Sequence, residues 1–293
     1  MKILISGSSG TLADSVISLG ETLSHKLILV DKKKSGRCEY IIDVSKYTAI
    51  RNLFDMEKPD IIFHFAAETD VDFCETNKLD ATVNNFIATK NLTDIAKDFD
   101  IPLIFTSTAS IFNDEQNAPY KENTKPNPAN YYALTKYLSE EYIKSNLTKY
   151  FIFRFAWLVG NPTIDKKFWG GIRNQLVSNQ KKLFGVTDQF GSLSFADEFA
   201  EFLFSFLSSN KFGIYHFASE GIASRYQIIS EVIRLKSLNN SLTLEEITLQ
   251  NFHLKANRPK LETLDVNKIK DLNIKVINNW TKDLEVYINK YDF

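Results

Sequence analysis

Tyr132 and Lys136 are the residues whose types and spacing could do chemistry, because positions four apart share one face of a helix. A free phenol titrates near pH 10, but a fixed ammonium group one turn away favours the phenolate and lowers the pKa of the phenol. A hydroxyl from Ser107 or Thr108 could hold the oxygen of a substrate. The alternative is an ordinary amphipathic helix with a surface lysine. Because Tyr-x-x-x-Lys is common by chance, the surrounding elements must support a catalytic role.

A glycine turn near the start of the chain predicts an anion-binding site. Residues 2–6 form a short apolar run. Gly7–Ala13 follow with the spacing Gly-x-x-Gly-x-x-Ala and lead into a segment with a helical pattern. Glycine lets the backbone approach an anion, and the free N–H groups and dipole of a helix start face it. A second strand over 26–30 ends in Asp31, where a carboxylate can bind the ribose of adenosine. The alternative is a generic glycine-bearing turn, but beside the Tyr/Lys pair the pattern predicts dinucleotide binding.

Apolar runs alternate with helical patterns, which predicts an α/β fold with a doubly wound parallel (Rossmann) sheet covered by helices on both faces. Strands are predicted at 2–6, 26–30, 60–65, 102–107, 150–155 and 213–217, and helices near 12–19, 46–57, 79–98 and 131–147. Ligands of such sheets bind at the carboxyl ends of the strands, and the candidate residues follow those ends. We expect a dinucleotide-binding domain over residues 1–155, to which the strand near 213–217 could return, and a smaller C-terminal substrate domain mainly over 156–293.

Composition and charge exclude several classes of protein. The 293 residues carry a net charge of −1, so there is no global attraction to nucleic acid or to an anionic membrane, and the short run Lys32–Lys34 predicts a solvated loop. Cys38 and Cys74 are far apart and lack metal-ligand spacing, so we expect free thiols and no metal site. The chain enters a strand at once and has no apolar run of 18 or more residues. We therefore expect a cytoplasmic protein, which could form a homodimer.

Five further blocks resemble the extended short-chain dehydrogenase/reductase family of nucleotide-sugar enzymes, and within it the dTDP-4-dehydrorhamnose reductase branch. They are His64–Glu75, Val83-Asn84, Arg154–Gly160, Asp188–Ser192 and Arg258–Asp265, and together they extend the resemblance over nearly the full length. The glycine turn and the Tyr/Lys pair identify only the superfamily. The first and fourth blocks point to the branch, although Leu193 stands where proline is usual.

This resemblance implies a role for each candidate residue. Tyr132 would donate a proton to the 4-keto oxygen of a nucleotide sugar, Lys136 would bind the nicotinamide ribose of NADPH or NADH, and Thr108 would hydrogen-bond the reacting oxygen. Trp157 would lie against the sugar ring, and Thr69 and Val71 would contact the substrate. The implied cofactor-binding residues are Gly7, Ser9, Gly10, Thr11, Leu12, Asp31, Asp43, Val44, Phe65, Ala66, Ala67 and Lys136.

One block departs from the family pattern. The family usually has Ser-Thr-Asp-Tyr-x-Phe after the fifth strand, whereas this chain has Ala109 and Ser110 in place of the acidic and aromatic residues. Those positions face the sugar in the family, so the identity of the sugar stays open. The segment also resembles the Ser-Ser-Ala-x-Val-Tyr of nucleotide-sugar epimerases. A 4,6-dehydratase is disfavoured, because the acidic pair that such enzymes carry here is missing.

Three functions therefore remain at this point: a reductase of a nucleotide-linked 4-keto deoxysugar, an epimerase with bound NAD, and a non-catalytic NAD(P)-binding regulatory subunit. The β regulatory subunit of methionine adenosyltransferase resembles the same branch. The intact set Thr108, Tyr132 and Lys136 favours an enzyme. His64 is expected to be a packed, hydrogen-bonded histidine, and Asp188-Gln189 is expected near the cleft.

Overall fold

The computed structural model describes residues 1–34, 36–114, 116–165, 167–178 and 180–291. The strands are β1 (Lys2–Ser6), β2 (Lys26–Asp31), β3 (Tyr40–Ile41), β4 (Ile61–His64), β5 (Leu103–Thr108), β6 (Tyr150–Phe155), β7 (Trp157–Val159), β8 (Lys182–Val186), β9 (Phe190–Gly191), β10 (Leu193–Phe195), β11 (Gly213–His216), β12 (Ala223–Ser224), β13 (Thr243–Ile247) and β14 (Leu261–Glu262). The helices are α1 (Thr11–Thr22), α2 (Tyr47–Glu57), α3 (Val71–Thr76), α4 (Lys78–Ala81), α5 (Ala88–Asp98), α6 (Tyr131–Asn146), α7 (Phe168–Val177), α8 (Ala196–Phe206), α9 (Arg225–Leu235), α10 (Asn267–Lys270) and α11 (Trp280–Tyr291).

Seven parallel strands form the central sheet in the order β11-β6-β5-β4-β1-β2-β3. The strand order reverses between β1 and β4, and such a switch point is where open α/β sheets bind their ligands. The predicted doubly wound Rossmann fold is thus confirmed, and each of the six predicted strands is present to within one residue at either end. Strand β3 was not predicted, because two residues are too few to show a period.

Helices cover both faces of this sheet. On one face α1 and α8 pack on the strands, and Phe199, Phe202 and Phe206 of α8 surround Phe153 of β6. On the other face α2, α5 and α6 bury a second apolar cluster. Helix α8 is missing from the sequence prediction, although its buried residues recur with helical spacing. The helix predicted over 79–98 is instead α4 and α5 joined by a π-helical turn at Thr82–Ile87.

A third apolar cluster consists of residues that follow position 156, among them Trp169, Ile228 and Tyr287. This separate core supports a C-terminal substrate domain, whereas β11 and α8 belong to the layers of the central sheet. The division at residues 155 and 156 stays a prediction. In the described part of the chain, none of the helices combines the length and apolarity needed to cross a membrane.

Candidate active site

The three predicted catalytic residues come from two neighbouring elements. Thr108 is the last residue of β5, and Tyr132 and Lys136 lie one turn apart at the start of α6. Asn130 caps this helix by accepting a hydrogen bond from the Ala133 N–H at 2.9 Å. The hydroxyl of Thr108 lies within hydrogen-bonding reach of the Tyr132 phenol. The fold therefore brings together the hydroxyl pair that the sequence predicted.

Burial controls the charge state of Tyr132. The pKa of its phenol is raised, first by desolvation and then by the charges of Cys74 and Glu262, while the bond to Thr108 opposes the shift. The sequence-based expectation that Lys136 lowers this pKa is wrong in this structure. The ammonium group of Lys136 instead lies 4.1 Å from the centre of the Phe105 ring.

Lys136 is itself buried, with 2% of its surface exposed. Desolvation lowers the pKa of its ammonium group to about 7, and the carboxylate of Glu140, one turn further along α6, opposes this shift. The lysine is therefore close to the midpoint of its titration at neutral pH. Small changes in its surroundings can change its charge.

Helix α6 is held in place by buried charges. Arg154 on β6 donates two hydrogen bonds to the Glu140 carboxylate, at 3.0 and 2.7 Å, and both side chains are almost fully buried. At the other end of the helix, the N–H of Tyr131 donates to the carboxylate of Glu75 at 2.9 Å. Arg154 and Glu75 belong to the family-like blocks, and their contacts hold helix α6 in position.

The glycine turn abuts the end of β4. Gly7 has a φ of +75°, and a Cβ atom there would lie 2.5 Å from the Ala66 nitrogen, so only glycine fits. Gly10 caps α1 without a side-chain hydrogen bond, which leaves the N–H groups of the first turn, including those of Thr11 and Leu12, without a side-chain cap. A tight backbone cradle at a helix N-terminus fits the pyrophosphate of a dinucleotide.

The carboxylate of Asp31 lies beside this turn. It accepts hydrogen bonds from the N–H of Ser9 at 3.1 Å and of Lys33 at 3.3 Å. The ammonium group of Lys32 donates a hydrogen bond to Oδ1 of Asn84, in the π-helical turn, at 3.1 Å. Asp31 is therefore close to the glycine turn, as an adenosine-ribose ligand must be, with lysine side chains near by.

Two other predicted cofactor residues follow β3. Asp43 accepts a hydrogen bond from the N–H of Ser45 at 2.9 Å, and the carbonyl of Val44 accepts one from Asn91 at 3.0 Å. These bonds fix the turn at the edge of the sheet where β2 and β3 end.

The segment after β4 contains Phe65, Ala66 and Ala67, all partly buried and next to the glycine turn. His64, which ends the strand, bonds the hydroxyls of Ser6 at 2.7 Å and Thr89 at 3.0 Å, so its prediction as a packed histidine is confirmed.

Asn85 is a positioning residue that the sequence analysis missed. It is buried in the π-helical turn and bonds both the N–H and the carbonyl of Glu68, at 2.7 and 3.1 Å. It also donates to Thr135 at 3.0 Å, and Thr135 lies between the predicted catalytic residues Tyr132 and Lys136 of α6. The family-like pair Val83-Asn84, which directly precedes Asn85 in the sequence, could have indicated it.

The family-like blocks near Val71 and Arg258 contact each other. Val71 begins α3, and the carboxylate of Asp72 accepts bonds from the Lys255 and Ala256 N–H groups and from the Arg258 guanidinium. Thr69 accepts two hydrogen bonds from Lys167, at 2.7 and 2.9 Å. These contacts join the loop after β4 to the C-terminal part of the chain.

Trp157 lies deep in the structure with 6% of its surface exposed. A Cβ on Gly191 would come within 2.5 Å of its ring, and the guanidinium of Arg225 lies 3.7 Å from the ring centre. Its indole N–H donates to Glu262 at 2.8 Å. Whether Trp157 meets the sugar ring stays a prediction.

Glu262 and Arg225 had no signal in the sequence that marked them as members of this site. Burial lowers the pKa of Arg225 to about 10, and the charges of Glu262 and Asp165 oppose the shift, so the guanidinium stays charged at neutral pH.

Asp188 and Gln189 form hydrogen bonds to two loops of the C-terminal part of the chain. Asp188 accepts a hydrogen bond from the N–H of Leu249 at 2.8 Å, and Gln189 donates to the carbonyl of Pro259 at 3.0 Å.

Both cysteines are free thiols, and burial raises the pKa of Cys74 to about 11. Within the described ranges, no three His, Cys, Asp or Glu side chains group in a way that could hold a metal ion.

Comparisons with known proteins agree with this geometry. The spore coat polysaccharide biosynthesis protein SpsK of Bacillus subtilis is 25% identical, with 99% of this chain and 97% of that protein covered. The dTDP-4-dehydrorhamnose reductase of Aggregatibacter actinomycetemcomitans is 26% identical, with 92% of each covered. The crystal structure of a dTDP-4-dehydrorhamnose reductase from Clostridium acetobutylicum is 27% identical and superposes over 100% of both chains with a TM-score of 0.90.

The sequence profile of one family, described as the RmlD substrate binding domain, matches residues 1–293. This confirms the resemblance to the nucleotide-sugar branch of the extended short-chain dehydrogenases/reductases. Since the profile spans the whole sequence and the fold is shared from end to end, the chain belongs to the RmlD substrate binding domain family.

Proposed function

We propose that the protein is an NAD(P)H-dependent reductase of the 4-keto group of a nucleotide-linked deoxysugar. The observation that carries the proposal is the Thr108–Tyr132 hydroxyl pair, with Lys136 one helical turn away, at the carboxyl end of β5. Two of the similar proteins, from Aggregatibacter actinomycetemcomitans and Clostridium acetobutylicum, are dTDP-4-dehydrorhamnose reductases, which supports the same conclusion.

The residues at the switch point fit a dinucleotide. The backbone around Gly7 and Gly10 would hold the pyrophosphate, and Asp31 would bind the adenosine ribose. Ala66 and Ala67 would line the cleft beside them. The chemistry that NAD(P)H supplies when bound is a hydride for the carbonyl carbon.

The remaining chemistry belongs to the side chains. A phenol with a raised pKa stays protonated at neutral pH, which is the form that Tyr132 needs to give a proton to the oxygen as the carbonyl is reduced. Thr108 would donate a hydrogen bond to the same oxygen. Protonated Lys136 would bind the nicotinamide ribose.

Replacing Tyr132 by phenylalanine tests this assignment. NAD(P)H oxidation is measured over dTDP-, UDP- and GDP-linked 4-keto deoxysugars, and we expect Tyr132→Phe to lower turnover by roughly 10²–10⁴ while cofactor affinity changes by no more than a few-fold. The matched control is Tyr142→Phe on the same helix, whose phenol bonds Asp94 away from the site. Full activity of Tyr132→Phe would contradict the proposal. An epimerase would show product without net NAD(P)H consumption.

A further inference from the structure

Glu262 places a buried carboxylate in the candidate site. It lies on the short strand β14, which pairs with β9, and 9% of its surface is exposed. One carboxylate oxygen accepts a hydrogen bond from the hydroxyl of Ser110, and the other accepts one from the Trp157 indole at 2.8 Å. Both donors are neutral side chains, so neither of them forms an ion pair with the carboxylate.

This carboxylate lies next to the reacting groups. The N–H of Ser110 donates to the Thr108 hydroxyl at 3.1 Å, so a single residue links Glu262 to the oxygen-binding side chain. The charge of Glu262 also reaches the phenol of Tyr132. The small side chain at position 110, where the family pattern has tyrosine, leaves room for the carboxylate.

The carboxylate has unused capacity to accept hydrogen bonds. An ionised carboxylate offers about four lone-pair sites, and two protein donors occupy two of them. In the described part of the chain no cationic side chain forms an ion pair with Glu262, because the guanidinium of Arg225 stacks on the rings of Trp157 and Phe168. A buried carboxylate gains from further donors, and sugar hydroxyls are donors of the right kind.

We propose that Glu262 accepts a hydrogen bond from the sugar hydroxyl next to the reacting carbonyl and thereby selects substrates that carry this hydroxyl. In a 4-keto-6-deoxyhexose that group is the 3-hydroxyl, since the other neighbouring carbon, C5, carries the ring oxygen and the methyl group but no hydroxyl. The inference rests on the proposed function and adds the residue that sets specificity for the sugar.

Calorimetric titration of the protein saturated with NADP⁺ tests it by binding, independently of turnover. The probes are dTDP-, UDP- and GDP-linked 6-deoxyhexoses, each with and without the 3-hydroxyl. The wild type should bind the 3-hydroxy sugar roughly 10²-fold more tightly, because a site built around a buried charged acceptor rejects the analogue without its donor. Glu262→Gln, which keeps the shape, should reduce this ratio, and Glu262→Leu should reduce it to near one. Glu246→Gln, at an exposed position of β13, should keep the wild-type ratio.

Each outcome decides between explanations. Equal affinity of the wild type for both sugars, or an unchanged ratio in Glu262→Gln and Glu262→Leu, overturns the inference and leaves the proposed function standing. A uniform loss of affinity for both sugars shows a structural role only and also overturns it. If Glu262→Leu fails to fold, the ratio in Glu262→Gln decides. No binding of any sugar nucleotide overturns the proposed function, and the inference with it.

Discussion

At the scale of single residues, the buried ammonium of Lys136 makes the candidate site sensitive to pH. Its pKa is lowered to about 7 by desolvation, so the charged form is present below that pH and lost above it. Because the raised pKa of Tyr132 keeps the phenol protonated over the same range, a change near neutral pH belongs to the lysine.

We therefore expect kcat/KM, which reports the free enzyme, to fall about tenfold per pH unit above pH 7. The profile is measured from pH 5.5 to 9 under conditions that keep NAD(P)H intact. Lys136→Arg retains a charge throughout, so its lower activity should show no descending limb in this range. A wild-type profile that is flat up to pH 9 would contradict the assignment.

A second residue-scale prediction is that Asp31 influences the choice between NADH and NADPH. Its carboxylate, held beside the glycine turn by the Ser9 N–H, can bind ribose hydroxyls but repels a 2′-phosphate, whereas the adjacent lysines attract it. We expect a wild-type preference below about 100-fold, equal to about 2.7 kcal/mol.

Asp31→Asn should raise the ratio of kcat/KM for NADPH over NADH by about tenfold, since it removes the repulsion. Both cofactors must be compared at one ionic strength, because salt screens exposed lysines. Asp55→Asn, on the exposed side of α2, is the control and should leave the ratio unchanged. The same ratio in Asp31→Asn as in the wild type would refute this role.

At the scale of elements, the position of α6 against β6 depends on the buried pair Arg154–Glu140. Removing one partner leaves an uncompensated buried charge, so Arg154→Leu should lower the free energy of unfolding by about 3–5 kcal/mol. Urea denaturation measures the change. The double variant Arg154→Leu/Glu140→Leu should recover most of the loss, and Arg234→Leu, in an exposed pair with Glu231, should differ little from wild type.

Some helices and strands could be predicted from the sequence, and others could not. Strands such as β1 and β6 are nearly continuous apolar runs, so their positions along the chain were predictable. The π-helical turn at Thr82–Ile87 was not, because the register change depends on Asn85 reaching Glu68 and Thr135. Helix α8 shows the opposite case, since its buried residues recur with helical spacing in the sequence itself.

At the scale of the whole molecule, buried imidazoles link stability to pH. Burial lowers the pKa of His64 and of His216 to about 3, whereas an exposed histidine titrates near 6.5. Between these values the unfolded chain binds more protons than the folded one, so stability falls as the pH decreases from 6.5 towards 3.

Each of the two histidines should remove about 1.4 kcal/mol of unfolding free energy per pH unit once the pH is well below 6.5. Denaturation at pH 7, 6 and 5 measures the slope. His64→Gln should make it shallower, while His253→Gln, at an exposed position, should not. A wild-type stability that stays constant from pH 7 to 5 would show that the buried imidazoles do not control it.

The sequence by itself was enough to predict the residues that we propose bind the cofactor. The glycine turn, the apolar strand segments and the Tyr132/Lys136 spacing are local patterns, and local patterns report backbone geometry without knowledge of distant contacts. Only the tertiary structure brought together the residues that we propose contact the sugar. Ser110 and Glu262 meet across 152 positions of sequence, Trp157 is buried between them and Arg225, and the charge of Tyr132 depends on this burial. Desolvation and long-range hydrogen bonds exist only once the chain is packed, so no spacing in the sequence encodes them directly.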